Sequence, residues 1–228
     1  MDYTCRDIAK MIDHSVIRPE QSEKDLRLGC ETALKYDVAT VSCAPCWVTL
    51  VAELLRGSDV KPQTIIGFPH GYQTADTKAF ESERAIADGA RELNMVINIS
   101  KLLSRDFDHV RKDITAVVEA SKGRDVLVMV ILENCYLTDE LKEIGCRLSE
   151  EAGADYVKTS TGFSPGGATI EDLMLMRRAV SPRVHIKAAG GVRDLDMALK
   201  VREAGATRFG ATRTAEIMEE CYRRKGRK

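Results

Sequence analysis

Ala154-Asp155-Tyr156-Val157-Lys158-Thr159-Ser160-Thr161-Gly162-Phe163 puts a lysine inside an apolar, β-forming run and follows it at once with a small polar turn bearing a glycine. A lysine among apolar neighbours is costly unless its charge is paired or suppressed. Suppression is what an amine nucleophile needs, because desolvation or a nearby cation lowers the lysine pKa and frees the lone pair for attack on a carbonyl. A second run of the same design follows: Val184-His185-Ile186-Lys187-Ala188-Ala189-Gly190-Gly191. Both read as strands that end on a lysine and leave through glycine.

The unit that contains them recurs along the chain. Strands are expected at Val38–Ser42, Thr64–Phe68, Leu93–Asn98 and Val126–Leu132, at the two lysine runs, and at Thr207–Gly210. A short apolar piece, Met11–His14, could be one more. Helical patterns lie between them: Cys5–Lys10, Ser22 to about Lys35 with Ser22 as N-cap, Pro45–Arg56, Thr74–Ala87, Asp108–Ala120, Asp139–Gly153, Ile170–Ala179, Leu195–Ala204 and Thr214–Arg223. Strands that are continuous apolar runs and alternate with helices belong to a parallel sheet buried on both faces. Eight β/α units within about 250 residues point to a (β/α)8 TIM barrel. The rival is an open doubly wound sheet, but no GxGxxG follows a strand here. With no linker or low-complexity segment, one domain over 1–228 is expected.

Composition narrows the function. The 228 residues are 44% apolar with a net charge of -1, so no footprint for nucleic acid or an anionic membrane is present. No run approaches the roughly 20 apolar residues of a membrane span, and the charged start lacks a signal-peptide core. A cytoplasmic location is expected. Seven cysteines, without disulfide-framework spacing, suggest reduced thiols. Cys43-Ala44-Pro45-Cys46 is a CxxC in the wrong setting for a redox motif, and Cys43 is instead expected at the mouth of a pocket. His14, His70, His109 and His185 are scattered, so no metal is expected. The basic tail, Arg223 to Lys228, is expected to be a solvated, frayed terminus.

In a barrel the chemistry sits at the C-terminal strand ends. Polar residues there are Asp13 and His14, Ser42 and Cys43, Asn94 and Asn98, Glu133 and Asn134, Lys158 with Thr159 and Ser160, and Lys187. Strands six and seven are neighbours, so Lys158 and Lys187 should lie together, and two nearby ammonium groups cannot both stay charged cheaply. A bland reading pairs one lysine with a carboxylate such as Glu133. The turns Gly162–Gly167, Ala189–Val192 and Gly210–Thr212 offer backbone N–H groups for a phosphate.

Several motifs, taken together and in order, resemble deoxyribose-phosphate aldolase, a class I aldolase family. They are Ile12-Asp13-His14, Met95-Val96-Ile97-Asn98, Val157-Lys158-Thr159-Ser160-Thr161-Gly162-Phe163, Lys187-Ala188-Ala189-Gly190-Gly191-Val192-Arg193 and Arg208-Phe209-Gly210-Ala211. The resemblance implies a (β/α)8 barrel without metal or organic cofactor. Its substrates would be small phosphosugars and aldehydes, with 2-deoxyribose 5-phosphate cleaved to acetaldehyde and glyceraldehyde 3-phosphate. It implies that Lys158 forms the Schiff base, that Lys187 depresses its pKa, that Asp13 lies at the substrate hydroxyls, and that Gly162, Gly190, Gly191 and Gly210, with Thr161, cradle the phosphate. A homodimer or larger homo-oligomer is expected. Two positions depart from the family pattern. Asn94 stands where the family carries a proton-relaying aspartate, and Thr212-Arg213 replaces a serine pair, with Arg213 able to grip an anion from a helix N-terminus. These departures leave open a different phosphorylated or carboxylated aldol, or a weakly catalytic phosphosugar-binding barrel.

Overall fold

Eight parallel strands close into a barrel in the computed structural model, which describes residues 2–226. They are β1 (Ile12–Val16), β2 (Thr40–Cys43), β3 (Lys61–Ile66), β4 (Glu92–Val96), β5 (Leu127–Ile131), β6 (Tyr156–Lys158), β7 (His185–Ala188) and β8 (Arg208–Ala211). Of the short Met11–His14 piece, Ile12–His14 therefore belong to a full barrel strand and Met11 lies in the turn before it. It closes the ring by pairing Ile12 with Phe209 and Asp13 with Gly210.

The helices are α1 (Cys5–Ala9), α2 (Glu23–Tyr36), α3 (Val48–Leu54), α4 (Ala75–Ala87), α5 (Ile99–Leu103), α6 (Phe107–Ser121), α7 (Asp139–Glu151), α8 (Ile170–Ala179), α9 (Leu195–Glu203) and α10 (Thr214–Lys225). Local chemistry starts many of them. Thr74, Thr138, Thr169 and Asp194 each accept the backbone N–H three residues on, which satisfies a donor that has no partner within the helix. The sequence reading did not include α5, which follows β4 so closely that Ile97 and Asn98 read as the continuation of the apolar strand. Asn98, counted among the strand-end candidates, is its N-cap.

The core is the layer between sheet and helices. Outward strand residues such as Val41, Leu93, Val130 and Phe209 pack under Leu26, Val51, Ile114 and Ile217, all buried. The barrel interior is different. Beside Met129, its inward positions include Asp13, Gln63, Glu92, Asn94, Lys158, Lys187 and Arg208, all buried and all polar, where a barrel more often stacks branched aliphatics.

Outside the barrel, Lys78 of α4 and Asp113 of α6 form a second buried ion pair. Their charged atoms are 2.6 Å apart, and neither side chain has any exposure. Lys78 Nζ also donates to the Val96 carbonyl at 2.8 Å, so the pair ties both helices to the C-terminal end of β4. Lys78→Met leaves Asp113 as an uncompensated buried charge. The expected loss is about 3–5 kcal/mol of unfolding free energy, read from urea denaturation.

Two expectations are corrected here. Cys5 and Cys221 form a disulfide across 216 residues, with Cα atoms 5.7 Å apart. Closure of β8 onto β1 brings α1 against α10, a proximity that cysteine spacing along the chain does not encode. The basic tail is also ordered as far as it is described. Arg223–Lys225 complete α10, and Arg224 bonds Glu220 at 2.5 Å and Asp196 at 2.6 Å. Arg227 and Lys228 lie outside the described residues.

Candidate active site

Lys158 and Lys187 are register partners on β6 and β7. Neighbouring strands run about 4.8 Å apart, so both amines enter the barrel side by side. They are 6% and 1% exposed. Burial, reinforced by the Lys187 cation, holds the Lys158 amine well below the usual lysine range. Burial also lowers Lys187, against the pull of Asp13.

The surroundings of the two lysines differ. Lys187 Nζ has three oxygen acceptors, the Asp13 carboxylate, Gln63 Oε1 at 3.0 Å and Asn94 Oδ1 at 3.0 Å, with the softer Met129 Sδ at 3.6 Å. Three acceptors match the three N–H bonds of an ammonium. Lys158 Nζ has Asn94 Oδ1, at 3.4 Å, and no carboxylate within ion-pair distance among the described residues. Lys187 is thus built to stay protonated, and Lys158 to lose its proton.

Below the lysines lies a charged floor. Arg208 Nε donates to Asp13 Oδ1 at 2.8 Å. Its two terminal nitrogens reach the Glu92 carboxylate at 3.2 and 3.1 Å. Gln63 Nε2 bridges Asp13 and Glu92, and Thr40 Oγ1 donates to Asp13 at 2.8 Å. Burial opposes ionisation of Asp13, yet Arg208 and Lys187 hold its carboxyl well below the usual range.

A cavity of about 440 Å³ opens over this floor at the C-terminal strand ends. Of the residues singled out in the sequence, Asp13, Lys158, Lys187, Thr161, Gly162, Gly190, Gly191, Gly210 and Thr212 border it. Gly190 has a left-handed backbone, φ +80°, and a Cβ there would sit 2.9 Å from Gly167 Cα. Only glycine lets the loops after β6 and β7 meet backbone to backbone. That contact is sealed by the Ala168 N–H on the Ala189 and Gly190 carbonyls.

Other expectations are corrected. Cys43 is fully buried and does not line the cavity. Side chains alternate along β2, so Ser42 points into the barrel and Cys43 into the helix layer, where burial pushes its thiol up. Arg213 is exposed at the start of α10 and does not border the cavity either. His14 alternates outward from Asp13 and bonds Thr214 Oγ1 at 2.8 Å, and burial lowers its pKa to about 4. Asn134 points away and donates to Asp172. Glu133 pairs with neither lysine. It accepts from the Thr161 N–H, the Thr161 hydroxyl and the Ser164 hydroxyl, which makes it the brace of the turn after β6.

The sequence reading gave no role to Gln63, Glu92, Arg208, Arg18 or Arg193. Arg193 and Arg208 stand inside motifs it quoted, and Arg18 lies just past β1. Arg18 and Arg193 border the cavity. The Arg18 guanidinium donates to the Gly162 carbonyl at 3.1 Å and lies 4.5 Å over the Phe163 ring. A pair of buried lysines under an arginine-edged, glycine-lined mouth suits a Schiff base to an anionic carbonyl compound.

The family profile described as DeoC/LacD family aldolase matches residues 8–216. The chain belongs to the DeoC/LacD aldolase family. It is 51% identical over 214 residues to deoxyribose-phosphate aldolase 1 of Bacillus licheniformis, covering 94% of this chain and 96% of that one. It is 49% identical over 214 residues to the deoxyribose-phosphate aldolase of Caldanaerobacter subterraneus subsp. tengcongensis, covering 93% of each. Among solved structures, the tetrameric deoxyribose phosphate aldolase of Aeropyrum pernix superposes with a TM-score of 0.88 at 28% identity, over 95% of this chain and 92% of that one. These likenesses run nearly end to end, so the family membership covers the barrel and both lysine strands.

Proposed function

We propose that this chain, one barrel domain over residues 1–228, is a class I aldolase. It reversibly cleaves 2-deoxy-D-ribose 5-phosphate to acetaldehyde and D-glyceraldehyde 3-phosphate through a Lys158 Schiff base. The observation that carries this reading is the unequal pair of buried lysines, one fully paired and one not, at the floor of the cavity.

The chemistry follows from that pair. The Lys158 lone pair attacks C1 of the open-chain aldehyde, and loss of water leaves an iminium. Removal of the C3 hydroxyl proton lets the C2–C3 bond break, with its electron pair flowing to the iminium nitrogen to give an enamine. Glyceraldehyde 3-phosphate departs, C2 takes a proton, and hydrolysis of the imine releases acetaldehyde and the free lysine. The iminium is itself the electron sink, so no cofactor enters the scheme. The Lys187 ammonium, fixed by Asp13 and Gln63, is the charged donor beside these proton transfers. The glycine turns and the Arg18 and Arg193 side chains border the cavity where the 5-phosphate would be held by backbone N–H and guanidinium donors.

Borohydride reduction in the presence of acetaldehyde tests the reading. It should add an ethyl group at Lys158, located by peptide mass. A panel of phosphorylated and carboxylated aldols then fixes the substrate. Deoxyribose 5-phosphate should be cleaved fastest, and faster cleavage of a carboxylated aldol would reassign it. Self-association, as in the tetrameric Aeropyrum pernix enzyme, is proposed here too and is checked by sedimentation. No helix among the described residues is long and apolar enough to cross a membrane. A cytoplasmic location is proposed, since phosphorylated sugars are charged and held within the cell.

A further inference from the structure

Asn94 lies between the two lysines, fully buried on β4, and its orientation is fixed by its other neighbour. Its Nδ2 faces the Thr64 carbonyl at 3.4 Å. A carbonyl only accepts, so the amide nitrogen must be on that side and Oδ1 must face the lysines. Oδ1 has two lone pairs. The Lys187 ammonium takes one at 3.0 Å and Lys158 reaches the other at 3.4 Å.

The charges around Lys158 can be counted by element. Asp13 on β1 and Glu92 on β4 are the carboxylates of the barrel interior, and they pair with Lys187 on β7 and Arg208 on β8. Tyr156, on the same strand as Lys158, is buried, and burial raises its pKa, which keeps the phenol neutral. Glu133, after β5, acts on Lys158 only through space, because its oxygens are taken by Thr161 and Ser164. Within ion-pair distance two carboxylates answer two cations, and Lys158 has no ion-pair partner among the described residues. As an ammonium it would need three acceptors and finds Asn94 Oδ1 among the described residues. As a free amine it donates one N–H to that oxygen and keeps a lone pair.

We propose that Asn94 holds Lys158 as the free amine and aims its lone pair into the cavity, by presenting an uncharged acceptor where a carboxylate would place a negative charge against the amine. This rests on the Schiff-base reading of Lys158. An amide at this position gives the nucleophile no counter-charge, so the resting enzyme needs no base to unmask it. Because the N–H toward Asn94 is spent on the hydrogen bond, the lone pair faces the open side.

The test is the pH dependence of borohydride trapping with acetaldehyde at Lys158, for the wild type, Asn94→Asp and Asn94→Leu. The wild-type midpoint should lie well below the ordinary lysine value of about 10.4. Asn94→Asp should move it up by about one unit or more, cutting trapping near neutrality roughly tenfold. Asn94→Leu, uncharged but without the acceptor, should keep the low midpoint and lower the plateau rate several-fold. An unmoved midpoint in Asn94→Asp overturns the charge argument, and an unchanged plateau in Asn94→Leu overturns the aiming. If either variant does not fold, a wild-type midpoint at the ordinary lysine value overturns the proposal by itself. Absence of any wild-type adduct instead overturns the Schiff-base reading.

Discussion

Lys158→Ala is expected to lower deoxyribose 5-phosphate cleavage on the order of 10⁴-fold or more, as removal of a covalent nucleophile does elsewhere, and to abolish the borohydride adduct. No other buried amine replaces it. Lys187, the nearest, has its three donors committed to Asp13, Gln63 and Asn94 and carries no free lone pair. The substitution removes a buried cation precursor without stranding a partner, so the protein should fold. Thermal melting separates loss of chemistry from loss of structure, and an adduct that survives in the alanine variant sinks the assignment.

Lys187→Met is expected to cost about 10²–10⁴-fold in kcat/KM, the usual worth of a positioned proton donor. It should also raise the pH midpoint of imine trapping by about one to three units. The sign follows from the two interactions removed. Lys187 repels a proton from Lys158, so its loss lets the Lys158 pKa rise toward the ordinary value. Its loss also leaves Asp13 with Arg208 as its remaining cation, and the freed negative charge favours an ammonium nearby. The amine fraction at neutral pH then falls, and trapping recovers only as pH climbs. A midpoint that stays where it was would assign Lys158's low pKa to burial alone, which is the first of its causes. Asp13 also loses its hydrogen-bonded pair with Lys187 while keeping Arg208, so stability should drop by about 1.5–3 kcal/mol, read by urea denaturation.

The strand order, the helix alternation and the two lysine strands were legible in the sequence because they rest on local signals. A parallel strand buried on both faces must be a short apolar run, so a lysine at its end is conspicuous. Glycine turns after those strands mark where backbone must approach backbone or ligand, and Gly190 does so against Gly167. The lysines' closeness followed from strand adjacency alone. Family resemblance added the order of the expected roles along the chain, and Asp13, Lys158, Lys187, Gly162, Gly190, Gly191 and Gly210 all border one cavity.

Other features depended on partners far apart in sequence. Whether Ser42 or Cys43 enters the barrel is a one-residue question of register, and register is set by pairing with β1 and β3. Arg208 meets Asp13 across 195 residues and Glu92 across 116, and Cys5 meets Cys221 across 216. Only closure of the ring makes them neighbours. The sequence by itself determined that a barrel would carry two buried lysines beside glycine turns, because periodicity and residue type are local properties. Which lysine keeps its proton was decided by the tertiary structure, since that depends on counting the carboxylates and amide oxygens that β1, β3 and β4 bring within hydrogen-bond reach.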